Sequence, residues 1–121
     1  MKGVIRKYTL SEYATIKEAI RVITDNLTRC VIVIDSEEKV IGVVSEGDIL
    51  RALSEDVAMF ASIRTILSPT FCFSRAKNIE EALGFLRHKG VTLIPIVDEQ
   101  FHLKDVVTIQ DVLEGIELRS E

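Results

Sequence analysis

The chain has 121 residues, 47% of them hydrophobic and 28% charged, with 15 Lys and Arg against 19 Asp and Glu and a formal net charge of -4. With 6 Gly and 2 Pro it is neither collagen-like nor low in complexity, and its wealth of Val, Ile and Leu is that of a folding chain, not a disordered tail. The acidic balance, with a pI near 5.2, gives no overall field that attracts DNA or RNA, and no run of Lys or Arg makes a basic stripe.

The opening MKGVIRKYTL lacks the apolar core of a signal peptide, and the longest apolar run, Cys30 to Ile34, is strand-length and far short of a membrane span. A cytosolic location with no membrane span is expected. The abrupt ends also suit a soluble piece of a larger protein. The chain begins with an extended lead-in, Lys7-Tyr8-Thr9-Leu10. Ile16, Ala19, Ile20 and Ile23 then fall at helical spacing, behind Thr15 as N-cap and Glu18 as its capping-box partner. Cys30–Ile34 reads as a buried strand. Ser36-Glu37-Glu38-Lys39 is a polar turn, and Val40–Val44 returns as the second arm of a hairpin. A helix starts at the N-cap Ser45 and carries Ile49, Leu50 and Leu53. Residues 56–69 contain Val57, Met59, Phe60, Ile63, Ile66 and Leu67, so this linker is expected to be packed.

The same order then recurs: lead-in Thr70-Phe71-Cys72-Phe73, N-cap Asn78 with Glu81, helix positions Ile79, Ala82, Leu83 and Leu86, strands Leu93–Val97 and Leu103–Val107, and a helix from Thr108. The offset is 63 throughout. Without gaps, residues 14–53 and 77–116 share eight of forty identities: Ile16, Glu18, Ala19, Asp35, Val43, Val44, Asp48 and Leu50 with their counterparts. A constant register over that length marks a tandem duplication. Residues 1–55 form the first copy and 70–121 the second, each read as β-α-β-β-α. One unit of about 50 residues cannot cover both faces of its sheet, so the two are expected to stack sheet on sheet in a pseudo-two-fold α+β domain.

Ser45 with Asp48, and Thr108 with Asp111, place a hydroxyl where a strand gives way to a helix and a carboxylate one turn further on. The hydroxyl and the unpaired amides there suit a phosphate oxygen, and the carboxylate suits the paired hydroxyls of a ribose. The same pair can equally serve only as a capping box. A base would need a flat apolar slot, which Val91–Pro95 (with Thr92, Leu93, Ile94 and Pro95) or Thr28–Ile32 can offer. For a phosphate, Arg29 is the best cation. Its counterpart is Thr92, so the two sites differ, and Lys77 at the second helix entrance is the substitute. Arg87-His88-Lys89 suits the negative end of a helix, with Gly90 as the cap. Cys30 and Cys72 read as reduced, buried small hydrophobes, because two Cys and two distant His do not make a zinc site. No P-loop, GxGxxG, HExxH or nucleophile–His spacing is present, so no enzyme, catalytic residue or required cofactor is expected.

The duplicated pattern resembles the CBS-domain pair, or Bateman module: an apolar strand ending in Asp, a turn, an apolar–Gly–apolar strand, then Ser/Thr-x-x-Asp and an apolar pair. Copy one supplies Ile32-Val33-Ile34-Asp35, Ile41-Gly42-Val43-Val44 and Ser45-Glu46-Gly47-Asp48-Ile49-Leu50. Copy two supplies Gly90-Val91-Thr92-Leu93-Ile94-Pro95-Ile96-Val97-Asp98 and Thr108-Ile109-Gln110-Asp111-Val112-Leu113. Two departures stand out: Ile32 where the family often has Pro, and Asp105 where it usually has Gly, as at Gly42. The resemblance implies a regulatory module. It would bind an adenosine-containing small molecule (AMP, ADP, ATP or S-adenosylmethionine) between the copies and control a covalently linked or separate effector domain. It also implies a disc-shaped homodimer. The alternative is a ligand-free dimerisation or protein-interaction module. The linker is similar to that of CBS pairs attached to sugar-phosphate nucleotidyltransferases.

Overall fold

A computed structural model of the chain describes residues 3–119. The elements are α1 (Gly3–Arg6), β1 (Thr9–Ser11), α2 (Ile16–Asn26), β2 (Cys30–Ile34), β3 (Val40–Ser45), α3 (Glu46–Ser54), α4 (Ile79–Lys89), β4 (Leu93–Val97), β5 (Leu103–Thr108) and α5 (Ile109–Arg119), with a 3-10 turn at Ile63–Thr65. One sheet has the order β1-β2-β3, with β1 parallel and β3 antiparallel to β2. The other is the antiparallel pair β4-β5.

Side chains in a strand alternate between faces, and that alternation organises the core. Val31, Val33 and Val44 face the helices of their own repeat, where they meet Ala19, Ile23 and Ile49. Ile94, Ile96 and Val107 do the same against Ala82 and Val112. The opposite faces meet each other: Ile32 and Val40 pack with Leu93, Val97, Leu103 and Val106. The helix–sheet–sheet–helix order is thus a consequence of two apolar faces per sheet. The hairpin tips are joined by backbone as well. The Val40 amide donates to the Phe101 carbonyl (2.8 Å) and the Leu103 amide to the Glu38 carbonyl (3.0 Å). Asp35 and Asp98 close these turns, each Oδ1 accepting two turn amides, from Glu37 and Lys39 or from Gln100 and His102.

The structure departs from the sequence expectation at several points. Residues 3–6 form a helix, so the first lead-in strand starts at Thr9, not Lys7. The second lead-in is not a strand: only Ser74 bridges to Ile96, because Phe71 and Phe73 turn into an aromatic cluster with Phe101. Asn78 caps α4, but Glu81 does not complete the box, since its carboxylate is taken by the Ser74 hydroxyl. The linker packs in part: Phe60, also expected to pack, is 80% exposed, and the contacts come from elsewhere in the segment. Ile63 is buried, Arg64 pairs with the buried Glu12, and Ser68 exchanges two backbone hydrogen bonds with Val43 (both 3.1 Å).

That last contact explains Gly42. A Cβ there would stand 2.5 Å from the Ser68 carbonyl oxygen and 2.6 Å from Leu67 Cδ1. At Asp105, its counterpart, the side chain turns back and accepts the Val106 amide (2.8 Å), the group that in copy one pairs with the linker. Gly84, in contrast, sits in α4 with nothing within 4 Å of an added Cβ. Gly42→Ala should therefore lower stability by about 1–3 kcal/mol, since backbone must move. Gly84→Ala should raise it by about 0.5–1 kcal/mol through helix propensity alone. Urea unfolding of the two variants against the parent chain checks both signs.

Candidate functional site

At the end of the strands away from the hairpin tips, the two repeats part to leave a cleft of about 650 Å³. The starts of β2 and β4 supply Cys30 and Leu93, and the end of β3 supplies Val43 and Ser45. The first turn of α3 adds Glu46 and Gly47, the segment after the linker adds Thr70–Cys72, and the loop after α4 adds Lys89–Thr92. Val43, Phe71, Val91 and Leu93 make apolar walls, while Arg29 and Lys89 bring two cations to the rim.

Arg29 sits in the left-handed region at φ 66, uncommon for a residue with a side chain. Its carbonyl accepts the Glu46 amide (2.9 Å), and its Nε lies 3.5 Å from the Glu46 carboxylate. Lys89 has no ion-pair partner among the described residues. The Thr92 hydroxyl reaches across the repeat boundary to the Thr28 carbonyl. Burial pushes the Cys30 thiol up to about 12, with the Asp48 and Glu46 charges adding to the rise and Thr92 opposing it.

The sequence-predicted residues fall into three groups. Arg29, Ser45, Thr92 and Leu93 line the cleft. Ile32, Ile94 and Pro95 are fully buried, so their side chains serve the core and present no surface to a ligand. The third group comprises Asp48, Thr108, Asp111 and Lys77, none of which lines this cleft. Asp48 completes the capping box of α3: its Oδ2 accepts the Ser45 amide (2.9 Å) and hydroxyl (3.0 Å), and its Oδ1 accepts from Arg51 (3.3 Å). Asp111 repeats the arrangement with Thr108 (2.8 and 3.2 Å), and Lys77 Nζ stands 4.0 Å from the same oxygen. In Asp111 the other oxygen accepts no hydrogen bond among the described residues. The capping alternative weighed for these motifs is thus realised in both copies. Phe71 and Lys89 were missed as cleft residues, because their place depends on how one repeat meets the other. Among the described residues, no group of His, Cys, Asp and Glu is placed to hold a metal ion, and no helix is long and apolar enough to cross a membrane.

The model of the CBS domain matches residues 2–55 and again 63–118. The chain belongs to the CBS-domain family. Its fold is that of the CBS-domain pair. A CBS domain pair/ACT domain protein from Thermotoga maritima is 29% identical with a TM-score of 0.76, over 93% of this chain and 90% of that one. A CBS domain protein from Pyrobaculum aerophilum, complexed with AMP, is 22% identical with a TM-score of 0.72, over 93% and 91%. CBSX2, also in complex with AMP, gives 19% and 0.78, over 93% and 89%. In sequence, the inosine-5'-monophosphate dehydrogenase of Methanocaldococcus jannaschii is 27% identical over 106 residues, which is 88% of this chain and 21% of that enzyme. An uncharacterized protein of Rickettsia prowazekii is 26% identical over 84% of this chain and 32% of its own length. The chain thus spans a third or less of these two relatives.

Two outcomes follow from the geometry. Asp48→Ala and Asp111→Ala should each cost about 0.5–2 kcal/mol of stability, the usual worth of a helix cap, in thermal or urea unfolding. Cys30 should resist alkylation in the folded protein and react once it is unfolded. Because its folded pKa is raised, the associated stability is complete below the unfolded value of 9.0 and falls as pH rises towards about 12. A Cys30→Ser variant should lose less stability than the parent between pH 9 and 11, which a pH series of melting curves reads directly.

Proposed function

We propose that this chain is a regulatory module of the cytosol that takes an adenosine nucleotide in the cleft between its repeats and passes the binding to an effector domain, covalently linked or separate. The observation that carries the reading is the cleft itself. At about 650 Å³ it falls within the range of small-molecule sites, and it combines flat apolar walls with two cations at one rim. In this assignment the base lies against Phe71, Val91 and Leu93. The phosphate meets Arg29, Lys89 and the Ser45 hydroxyl beside the N-terminus of α3. Thr108, Asp111 and Lys77 make a second station on copy two, where the uncommitted oxygen of Asp111 suits a ribose hydroxyl. Asp48 is the corresponding acceptor in copy one, competing there with Arg51. Ile32, Ile94 and Pro95 shape the cleft from beneath. The AMP held by two proteins of this fold supports the choice of nucleotide.

Control of an effector requires that the ligand bind its two states unequally. The acting assembly in this reading is a homodimer.

Titration calorimetry with AMP, ADP, ATP and S-adenosylmethionine tests the ligand. At least one should bind, and Arg29→Ala should weaken it about ten- to a hundredfold, the worth of one charge-assisted hydrogen bond. Absence of binding by all four overturns the reading and leaves the interaction module.

A further inference from the structure

The duplication supplies an internal control on one wall of the cleft. In copy one the Glu46 amide donates to the Arg29 carbonyl (2.9 Å); in copy two the Ile109 amide donates to the Thr92 carbonyl (3.0 Å), the same bond between equivalent residues. The backbone junction is made twice, and only copy one adds charges to it. Arg29 Nε stands 3.5 Å from the Glu46 carboxylate, where copy two has Thr92 and Ile109. The fold closes this junction without an ion pair, so the pair in copy one is not a requirement of the architecture.

Its position gives it another use. Arg29 and Glu46 line the cleft, and they also line a second cavity of about 350 Å³ on the outer side of copy one, together with Leu27 and Leu50. The two side chains are a shared wall. They are 68% and 46% exposed, and an ion pair so open to water is weakly held. The ionised side chains lining the cleft are Arg29, Lys89 and Glu46, which leaves one net positive charge, against about two negative charges on a phosphate monoester. The field of Glu46 reaches into the cleft, since it contributes to the raised pKa of the Cys30 thiol.

We propose that Glu46 is the charge selector of the cleft. It competes with a ligand's phosphate for Arg29. A phosphate monoester, with more charge and three acceptor oxygens, takes the guanidinium from it. Glu46 is then an unpaired carboxylate in the wall of the outer cavity, so a ligand bound on one side of the wall changes the charge on the other. A ligand without a phosphate leaves the pair closed and the outer side unchanged. Glu46 determines specificity through Arg29. This rests on the nucleotide cleft proposed above, and adds the residue that sets its charge preference and the route by which binding is passed outwards.

Calorimetry with AMP and adenosine, on the parent chain and on Glu46→Gln, tests the selection. Loss of the competing carboxylate should tighten AMP about two- to fivefold, the worth of an exposed ion pair, and the gain should shrink as salt is raised. Adenosine should show no gain, which separates the effect from any change in folding. Methyl NMR tests the route. Leu27 and Leu50 line the outer cavity and not the cleft, so AMP should shift their methyl signals and adenosine should not. Unchanged or weaker AMP binding by Glu46→Gln, or an equal gain with adenosine, would overturn the selector and leave the nucleotide cleft standing. Equal shifts of Leu27 and Leu50 with both ligands would overturn the route. Binding of S-adenosylmethionine alone would overturn both and still leave an adenosyl ligand in the cleft. No binding by any of the four ligands titrated above is the failure of the proposed function itself, and this inference falls with it.

Discussion

The contact between the inner faces of the two sheets is what the rest of the molecule depends on. Ile32 and Val40 from one repeat and Leu93, Val97, Leu103 and Val106 from the other lie in one cluster across the repeat boundary, joined there by Ile5 of the short α1. Exposed to water, six such side chains would forfeit roughly 1.5–3 kcal/mol each, as much as the whole stability of an ordinary domain. Neither repeat has an independent folded existence on these terms. Pairing is the condition of the fold, and the cleft is the place where pairing runs out.

The near-symmetry of the pair is broken at its edges. Gly42 gives the linker room to lie along β3 and hydrogen-bond through Ser68. Asp105 occupies its counterpart, and its carboxylate takes the Val106 amide that a crossing strand would need. An edge strand with its amide occupied by a nearby charge is protected from pairing with other chains. Arg29 and Thr92 break the symmetry a second time, one a strained cation at the rim and the other a hydroxyl spent across the repeat boundary. The cleft is therefore unequal at its two equivalent positions, Arg29 and Thr92, although it is built by a duplicated segment.

Much of this was legible in the residues. Burial alternates in strands and recurs at helical spacing in helices, so the constant offset located eight elements and the Thr15–Glu18, Ser45–Asp48 and Thr108–Asp111 caps. What was not legible depends on contacts distant in sequence. Phe71 and Phe73 read as strand residues, but they pack on Phe101 in preference to extending the sheet. Glu81 looks like a capping partner until Ser74 is placed beside it. Lys89 reads as a helix-end cation, and only the juxtaposition of repeats brings it into the same cleft as Arg29. The Ser/Thr-x-x-Asp motifs show the limit from the other direction: the same four residues satisfy a helix terminus and suit a nucleotide, and spacing alone does not separate the two.

The hairpin tips have a mechanical consequence. Two backbone hydrogen bonds join Val40 to Phe101 and Leu103 to Glu38 at that extremity. At the far extremity a side-chain bond, Thr92 to Thr28, spans the boundary. Any rotation of one half against the other would accordingly pivot at the tips, like a book on its spine, with the largest displacement at the mouth beside Arg29. A small angular change at the tips would be levered into a larger shift of α3 relative to the loop that carries Lys89.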